Sequence, residues 1–519
     1  MSGKRRAPTN TTMNTTMNRT NRTTRLAAAL VCAAAGTLAF GAHAAGEAKN
    51  VIFFLGDGMG PVTVTAARIY KGEKQLAAKP GSLVSSERAN LVMQSLPYAA
   101  RVKTFSLDGQ TTDSAPSMAA YMTGVKMRNE VISMSSDTVA VDSAGKQYID
   151  GENTTCPPTN GKAADTLLEL AKAKGRAVGA VSTTRVGHAT PATTYAHICN
   201  RNGYNTIAEQ SVPGHANYNP KLLDGIDVLM GGGQRNYLVG AGTKRTDGVD
   251  LVAAMKAKGY TYVDTGTKLK AVDTAATGKL LGLFSQSEMA YELDRVKQNL
   301  DQPSLSDMTE KALGVLSKND KGFFLMVEGG RIDHALHGTN AKRALEDTLA
   351  FDAAIQTALD IMNKKDPGLK NTLVVVTADH DHAMAFNGYP KIGNPILGLV
   401  NGYADGKPTK AADGKPYTTL VFGNGGRPNA SAGSQVNPED GNKPWIAPAR
   451  APNRDDQSAM NTEDDNFLQE VGINLGAPGS ETHGGGDVML FAGGAGSKIF
   501  KGTLENIKVF DKVRQAAGL

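Results

Sequence analysis

The stretch TLVVVTADHDH, residues 372–382, decides the fold. Six residues dominated by branched apolar side chains end abruptly in alternating carboxylates and imidazoles. An apolar run without polar alternation is the pattern of a strand buried on both faces, and hence of a mostly parallel sheet covered by helices. Similar runs occur at 50–55, 177–182, 323–327 and 488–492, and helical periodicity fills 161–174, 308–316 and 340–363. The predicted class is therefore α/β, a large mostly parallel central sheet with helices on both faces. In such sheets ligands gather beyond the carboxyl ends of the strands, so the polar residues there are the candidates for chemistry.

The rest of the chain fits one large domain with insertions. Its 519 residues include 58 glycines, many in runs such as Gly231-Gly232-Gly233 and Gly484-Gly485-Gly486, which indicate tight turns rather than a helical bundle. Residues 206–306 carry an α/β pattern of their own and read as an insertion. Residues 389–470, rich in Gly, Pro, Asn and Asp, read as an inserted surface subdomain with one strand near 420–422. The formal charge of +6 resides entirely in residues 1–44, which hold Lys4, Arg5, Arg6, Arg19, Arg22 and Arg25 and no acid. That balance gives no argument for nucleic-acid binding. It belongs to a basic segment, an apolar run over 26–40 and a small-x-small site at Ala42-His43-Ala44, the layout of a secretory signal cut after Ala44. A catalytic domain over 45–519, periplasmic or secreted, is the expectation. No later run is long enough to span a bilayer. Beyond the leader only Cys156 and Cys199 remain, a number that suits one disulfide in an exported chain or, alternatively, two buried thiols.

Five groups of residues carry the candidate chemistry. Asp57 follows the strand at 50–55 between Gly56 and Gly58, where a carboxylate can approach a cation without crowding. Asp379-His380-Asp381-His382 offers oxygen and nitrogen donors suited to Zn²⁺. Glu328 ends the strand at 323–327 and supplies a hard oxygen of the kind Mg²⁺ prefers, while Asp333 and His337 stand one helical turn apart. His483 lies among glycines just before the strand at 488–492. In Thr112-Asp113-Ser114-Ala115-Pro116, Pro116 suits a first helical turn and Gly124 an end, so Ser114 sits where unpaired N–H groups favour an anion. A helix cap would satisfy the same serine. Ser117 falls inside that turn and is the less exposed of the two.

In this order the motifs Gly-Asp-Gly-Met-Gly, Thr-Asp-Ser-Ala, Ala-Thr-Pro-Ala, Glu-Gly-x-x-Ile-Asp, Ala-Asp-His and Thr-His resemble those of the alkaline phosphatase family, from about residue 50 to 510. The resemblance implies a phosphate-monoester hydrolase, a homodimer, working through a phosphoserine on Ser114. It implies that Asp333, His337 and His483 hold one Zn²⁺, and that Asp57, Asp379, His380 and Ser114 hold a second. Asp57, Thr190 and Glu328 would hold Mg²⁺, and Arg201 would clamp phosphate. Asp113, His188 and His334 would stand behind these ligands. His188 and His334 replace an Asp and a Lys of part of the bacterial branch and match the animal branch, which opens the third site to Zn²⁺ as well. Ser285 stands where the animal branch has a calcium-binding Glu, so no fourth metal is expected. A Cys156–Cys199 bond would tether the loop carrying Arg201, and its reduction should weaken phosphate affinity before the protein unfolds. A phosphodiesterase or sulfatase of the same superfamily is disfavoured by Thr190, Glu328 and Arg201. An exported zinc- or phosphate-scavenging protein is disfavoured by the intact Thr112-Asp113-Ser114-Ala115.

Overall fold

A ten-stranded sheet organises the chain in a computed structural model that describes residues 48–426 and 454–519. Across the sheet the strands run Gly502–Glu505, Tyr98–Lys103, Val488–Gly494, Thr372–Thr377, Asn50–Gly56, Phe323–Gly329, Ala177–Arg185, Val228–Gly232, Lys279–Leu283 and Tyr260–Val263. Every neighbouring pair is parallel except those made by Val488–Gly494, which is antiparallel to both its neighbours. The central strands are buried because they are apolar on both faces: Val51, Ile52, Phe53, Phe54 and Leu55 are fully enclosed, as are Phe323 to Val327 and Leu373 to Val376. Each such side chain contributes roughly 1.5–3 kcal/mol. That apolar frame can hold unpaired carboxylates at its polar edge.

Two groups of helices cover the sheet. Pro61–Ala78 and Leu305–Leu316 each pack against Ala341–Lys365, and Ser114–Thr123 packs with Asn506–Ala517 and Leu167–Ala173. Their starts are set by local chemistry. The Ser304 hydroxyl and the Asp307 carboxylate form a reciprocal cap for Leu305–Leu316, and the Asn340 side chain accepts from the Arg343 N–H.

Some expectations change. The helix expected at 161–174 covers only Leu167–Ala173, because Thr166 and Glu169 form a capping box that fixes its first turn. Residues 206–306 are not a separate insertion: Val228–Gly232, Tyr260–Val263 and Lys279–Leu283 extend the same sheet to its edge. Within the expected subdomain, Leu420–Gly425 pairs with Met384–Phe386 and with Val471–Asn474 in a distinct three-stranded sheet. The expected leader and residues 427–453 lie outside the described residues. Among the described residues no helix is long and apolar enough to cross a membrane.

Candidate metal centre

The carboxyl ends of three central strands lie level, with Leu55 opposite both Thr377 and Glu328. The chain therefore delivers Asp57, Glu328 and Asp379 to one edge of the sheet. Past Glu328 the chain turns into the helix Arg331–His337, which presents Asp333 and His337 on one face. His483 arrives differently. It precedes an antiparallel strand, whose beginning lies beside the ends of its parallel neighbours, and it pairs with His382 in a short two-stranded ladder. Gly58 makes the convergence possible: it has φ +65, and a Cβ there would stand 2.4 Å from the His382 ring.

The first cluster centres on Asp333. Its Oδ1 lies 3.4 Å from His337 Nε2, 2.8 Å from His382 Nε2 and 3.5 Å from His483 Nε2. One donor atom from each of these four residues lies within 4.8 Å of the others, a spacing that one cation could bridge. Burial alone would raise the Asp333 pKa, but His337, His382 and His483 outweigh it and hold the carboxyl well below its ordinary value. His483 is pushed the other way, well below the usual imidazole range, by burial and by the neighbouring His380 and His337. It is a neutral ring with a lone pair to offer.

A second cluster centres on His380. Its Nε2 lies 3.2 Å from Ser114 Oγ, 3.3 Å from Asp57 Oδ1, 3.5 Å from Asp379 Oδ2 and 4.0 Å from Asp333 Oδ1. Asp379 Oδ1 accepts the N–H groups of Gly58 and His380, leaving Oδ2 for the cluster. Donor atoms of Asp57, Asp333 and His380 lie within 4.8 Å of one another here, and a third set joins Asp57, His188 and Glu328. Thr190 lies close enough to Glu328 to lower its pKa but outside hydrogen-bond geometry.

These donors fit divalent cations. Both oxygens of Asp57, Asp379 Oδ2, Glu328 Oε1, Thr190 Oγ1 and His188 Nδ1 are buried without a hydrogen-bond partner. Leaving so many polar atoms unsatisfied is costly unless an ion meets them. Burial first, then Asp379, Asp333 and Glu328, raises the Asp57 pKa well above the ordinary carboxyl value. Burial pushes Glu328 up to about 8, against the pull of the Ser182, Thr190 and Thr184 hydroxyls. Oxygen-rich surroundings at Glu328 and nitrogen-rich ones at Asp333 suit a hard and a borderline cation respectively.

Ser114 opens the helix Ser114–Thr123, with Asp113 in the capping position and no side-chain cap bond. The first N–H groups of the helix remain available to an anion. Ser117 turns away and donates to the Asp379 carbonyl at 2.6 Å. Arg201 pairs with Asp113 through Nη1 and donates from Nη2 to His188 Nε2 at 3.0 Å. Burial opposes its charge, but Asp113, Tyr204, Glu130 and Asp57 outweigh that and raise its pKa. His188 is held well below its ordinary pKa by burial, then by Arg201, His334 and Arg185. His334 meets His188 edge to face at 5.4 Å, with its Nδ1 bound by Arg331 at 2.6 Å. Cys156 and Cys199 are joined in a disulfide, two residues before Arg201.

Every site residue expected from the sequence thus lies in one contiguous region. Sequence reasoning missed one residue and, for another, the role. His382 was among the donors of Asp379-His380-Asp381-His382, but its contact with Asp333 is invisible without the fold. Glu481 carried no signal beyond standing two residues before His483.

A family profile described as alkaline phosphatase matches residues 48–519. The chain is 38% identical over 483 residues to the tissue-nonspecific alkaline phosphatase isozyme of Rattus norvegicus, covering 88% of this chain and 81% of that protein. It is 35% identical to the alkaline phosphatase of Gadus morhua, with 88% and 89% covered. Among solved structures, Thermus thermophilus alkaline phosphatase superposes with a TM-score of 0.61 at 26% identity, over 91% of this chain and 92% of that one. The alkaline phosphatase from the Antarctic bacterium TAB5 has the same fold, with a TM-score of 0.58 at 22% identity, over 91% and 99%.

Proposed function

The chain belongs to the alkaline phosphatase family and is a metal-binding phosphoric monoester hydrolase, and on that premise we propose that it works through a covalent phosphoserine on Ser114. The observation that carries this reading is the placement of Ser114 Oγ. It lies at a helix N-terminus, 3.2 Å from His380 Nε2, beside the unpartnered oxygens of Asp57 and Asp379. Asp333, His337 and His483 would hold one Zn²⁺; Asp57, Asp379 and His380, with Ser114, a second. Asp57, Thr190 and Glu328 would hold Mg²⁺, with Zn²⁺ the alternative beside His188. When bound, these cations supply Lewis-acid charge that acidifies a coordinated hydroxyl or water and neutralises phosphoryl oxygens.

The chain's own residues do the rest. Ser114 Oγ attacks phosphorus, the Ser114–phosphate ester forms, and the bond to the leaving alcohol breaks. Water then displaces the serine, returning its hydroxyl and releasing inorganic phosphate. Arg201 is held at both terminal nitrogens by Asp113 and His188, and each nitrogen keeps one further N–H for a phosphate oxygen. The helix N-terminus faces the same charge. Residues 1–44 act as a cleaved leader that exports the domain 45–519 to the periplasm or medium, with 389–470 as a surface subdomain, and the active form is a homodimer.

The test compares wild type with Ser114→Ala for metal content and for turnover of p-nitrophenyl phosphate and its bis ester. The proposal expects two zinc and one further divalent ion per chain in wild type, a clear preference for the monoester, and a variant that keeps its metal but loses turnover by at least about a thousandfold. A variant with near-native turnover would overturn the serine's role.

A further inference from the structure

Three imidazoles surround Asp333, and all three use the same nitrogen in the same way. His337 Nδ1 donates to the Glu481 carbonyl at 2.5 Å, His382 Nδ1 to Glu481 Oε2 at 2.6 Å, and His483 Nδ1 to the Thr112 carbonyl at 2.8 Å. A carbonyl or a carboxylate can only accept, so each ring carries its proton on Nδ1. Each Nε2 faces Asp333 Oδ1, at 3.4, 2.8 and 3.5 Å in the same order. At 2.8 Å from a carboxylate oxygen the His382 Nε2 must donate too, so His382 is a ring that braces Asp333, whereas His337 and His483 keep their Nε2 lone pairs for a cation. One residue sets two of these three rings. Glu481 is buried, 2% exposed, and its second oxygen accepts the Ala383 N–H at 2.8 Å.

Taking Asp333, His337 and His483 as holders of one cation, as proposed above, we infer that Glu481 is a positioning residue that sets how tightly that cation is held. A histidine free to turn or to exchange tautomers offers the correct lone pair only part of the time, and ordering it on binding opposes affinity. An acceptor on the far nitrogen removes that freedom, and a carboxylate acceptor also raises the basicity of the ring. Glu481 does this by main chain for His337, and its side chain fixes His382, the ring that donates to the ligand Asp333. Because it lies two residues before His483, the same short segment supplies a ligand and orients two partners.

Glu481→Gln isolates the side-chain contribution. The amide keeps the shape but has one acceptor oxygen where two donors, His382 Nδ1–H and Ala383 N–H, must be met, so its NH₂ is forced against one of them. The zinc dissociation constant of this site, measured by chelator competition on the metal-free full-length chain, should rise roughly 10- to 100-fold, with activity returning in excess zinc. The thermal midpoint of the metal-free variant is measured alongside, since a purely structural role would lower it and leave zinc affinity of the folded protein unchanged. In wild type, His337, His382 and His483 should each show an exchange-protected Nδ1–H resonance. Native zinc affinity in Glu481→Gln, or missing Nδ1–H signals in wild type, would overturn the inference. A His483→Ala variant that binds as much zinc as wild type would instead overturn the ligand assignment beneath it.

Discussion

Replacing Arg201 with lysine keeps the positive charge and removes the fork, which makes it the sharpest probe of how phosphate is gripped. The guanidinium carries five N–H donors; one is spent on Asp113 and one on His188, and each terminal nitrogen retains one more. A lysine ammonium is a single point that cannot span Asp113 and His188 and also reach two phosphate oxygens. The variant should forfeit one charge-assisted hydrogen bond to the transferring group, about 1.5–3 kcal/mol. At 1.36 kcal/mol per factor of ten, kcat/KM should fall roughly 10- to 150-fold. The assay is steady-state hydrolysis of p-nitrophenyl phosphate, with inhibition by inorganic phosphate measured in parallel. Because the product presents the same oxygens, its inhibition constant should rise as well. Both constants within roughly threefold of wild type would refute the claim that the fork is used.

Other perturbations test different parts of the structure. Reducing Cys156–Cys199 should raise the inhibition constant of free phosphate before the protein unfolds, because Cys199 lies two residues before Arg201; unchanged inhibition after confirmed reduction would reject this. The same reduction should lower unfolding free energy by about 4 kcal/mol for a loop of this length, checked by denaturant titration. Glu73 is pushed up to about 7 by burial, partly offset by the Ile396 N–H, so its contribution to stability is full below its ordinary value of 4.5 and lost as pH rises through 7. Glu73→Gln should flatten the thermal midpoint across that window, and a profile parallel to wild type would contradict it. Gly58→Ala should both destabilise the protein, by roughly 1–3 kcal/mol, and weaken metal retention, since the new Cβ strains φ +65 and meets the His382 ring; chemical denaturation and chelator competition read the two effects.

The sheet was legible where the strands are apolar on both faces. Residues 50–55, 323–327 and 372–377 announced themselves because central parallel strands cannot afford polar positions. The last two strands on one side of the sheet, Tyr98–Lys103 and the edge strand Gly502–Glu505, did not, since their exposed positions mix charged and apolar residues like any loop. The start of the helix Leu167–Ala173 was readable in Thr166 and Glu169, a capping-box spacing passed over in favour of an earlier glycine. The strand at 488–492 was recognised but its direction was not, and that direction is what brings His483 to the site. Motif order located Asp57, Ser114, Glu328, Asp333, His337, Asp379 and His380 because each stands at or just beyond a strand end or in the first turn of a helix. Glu481 was not found, and His382 was named only as one donor of four, because their roles are contacts between segments 99 residues apart, and no local pattern encodes those.

The central claim is that Ser114 becomes phosphorylated, and the most direct measurement is rapid acid quench during turnover followed by mass spectrometry of the peptides. The structure predicts a phosphorylated peptide carrying Ser114 and none in the Ser114→Ala variant. An active enzyme that yields no labelled peptide, or one labelled at another residue, would contradict it.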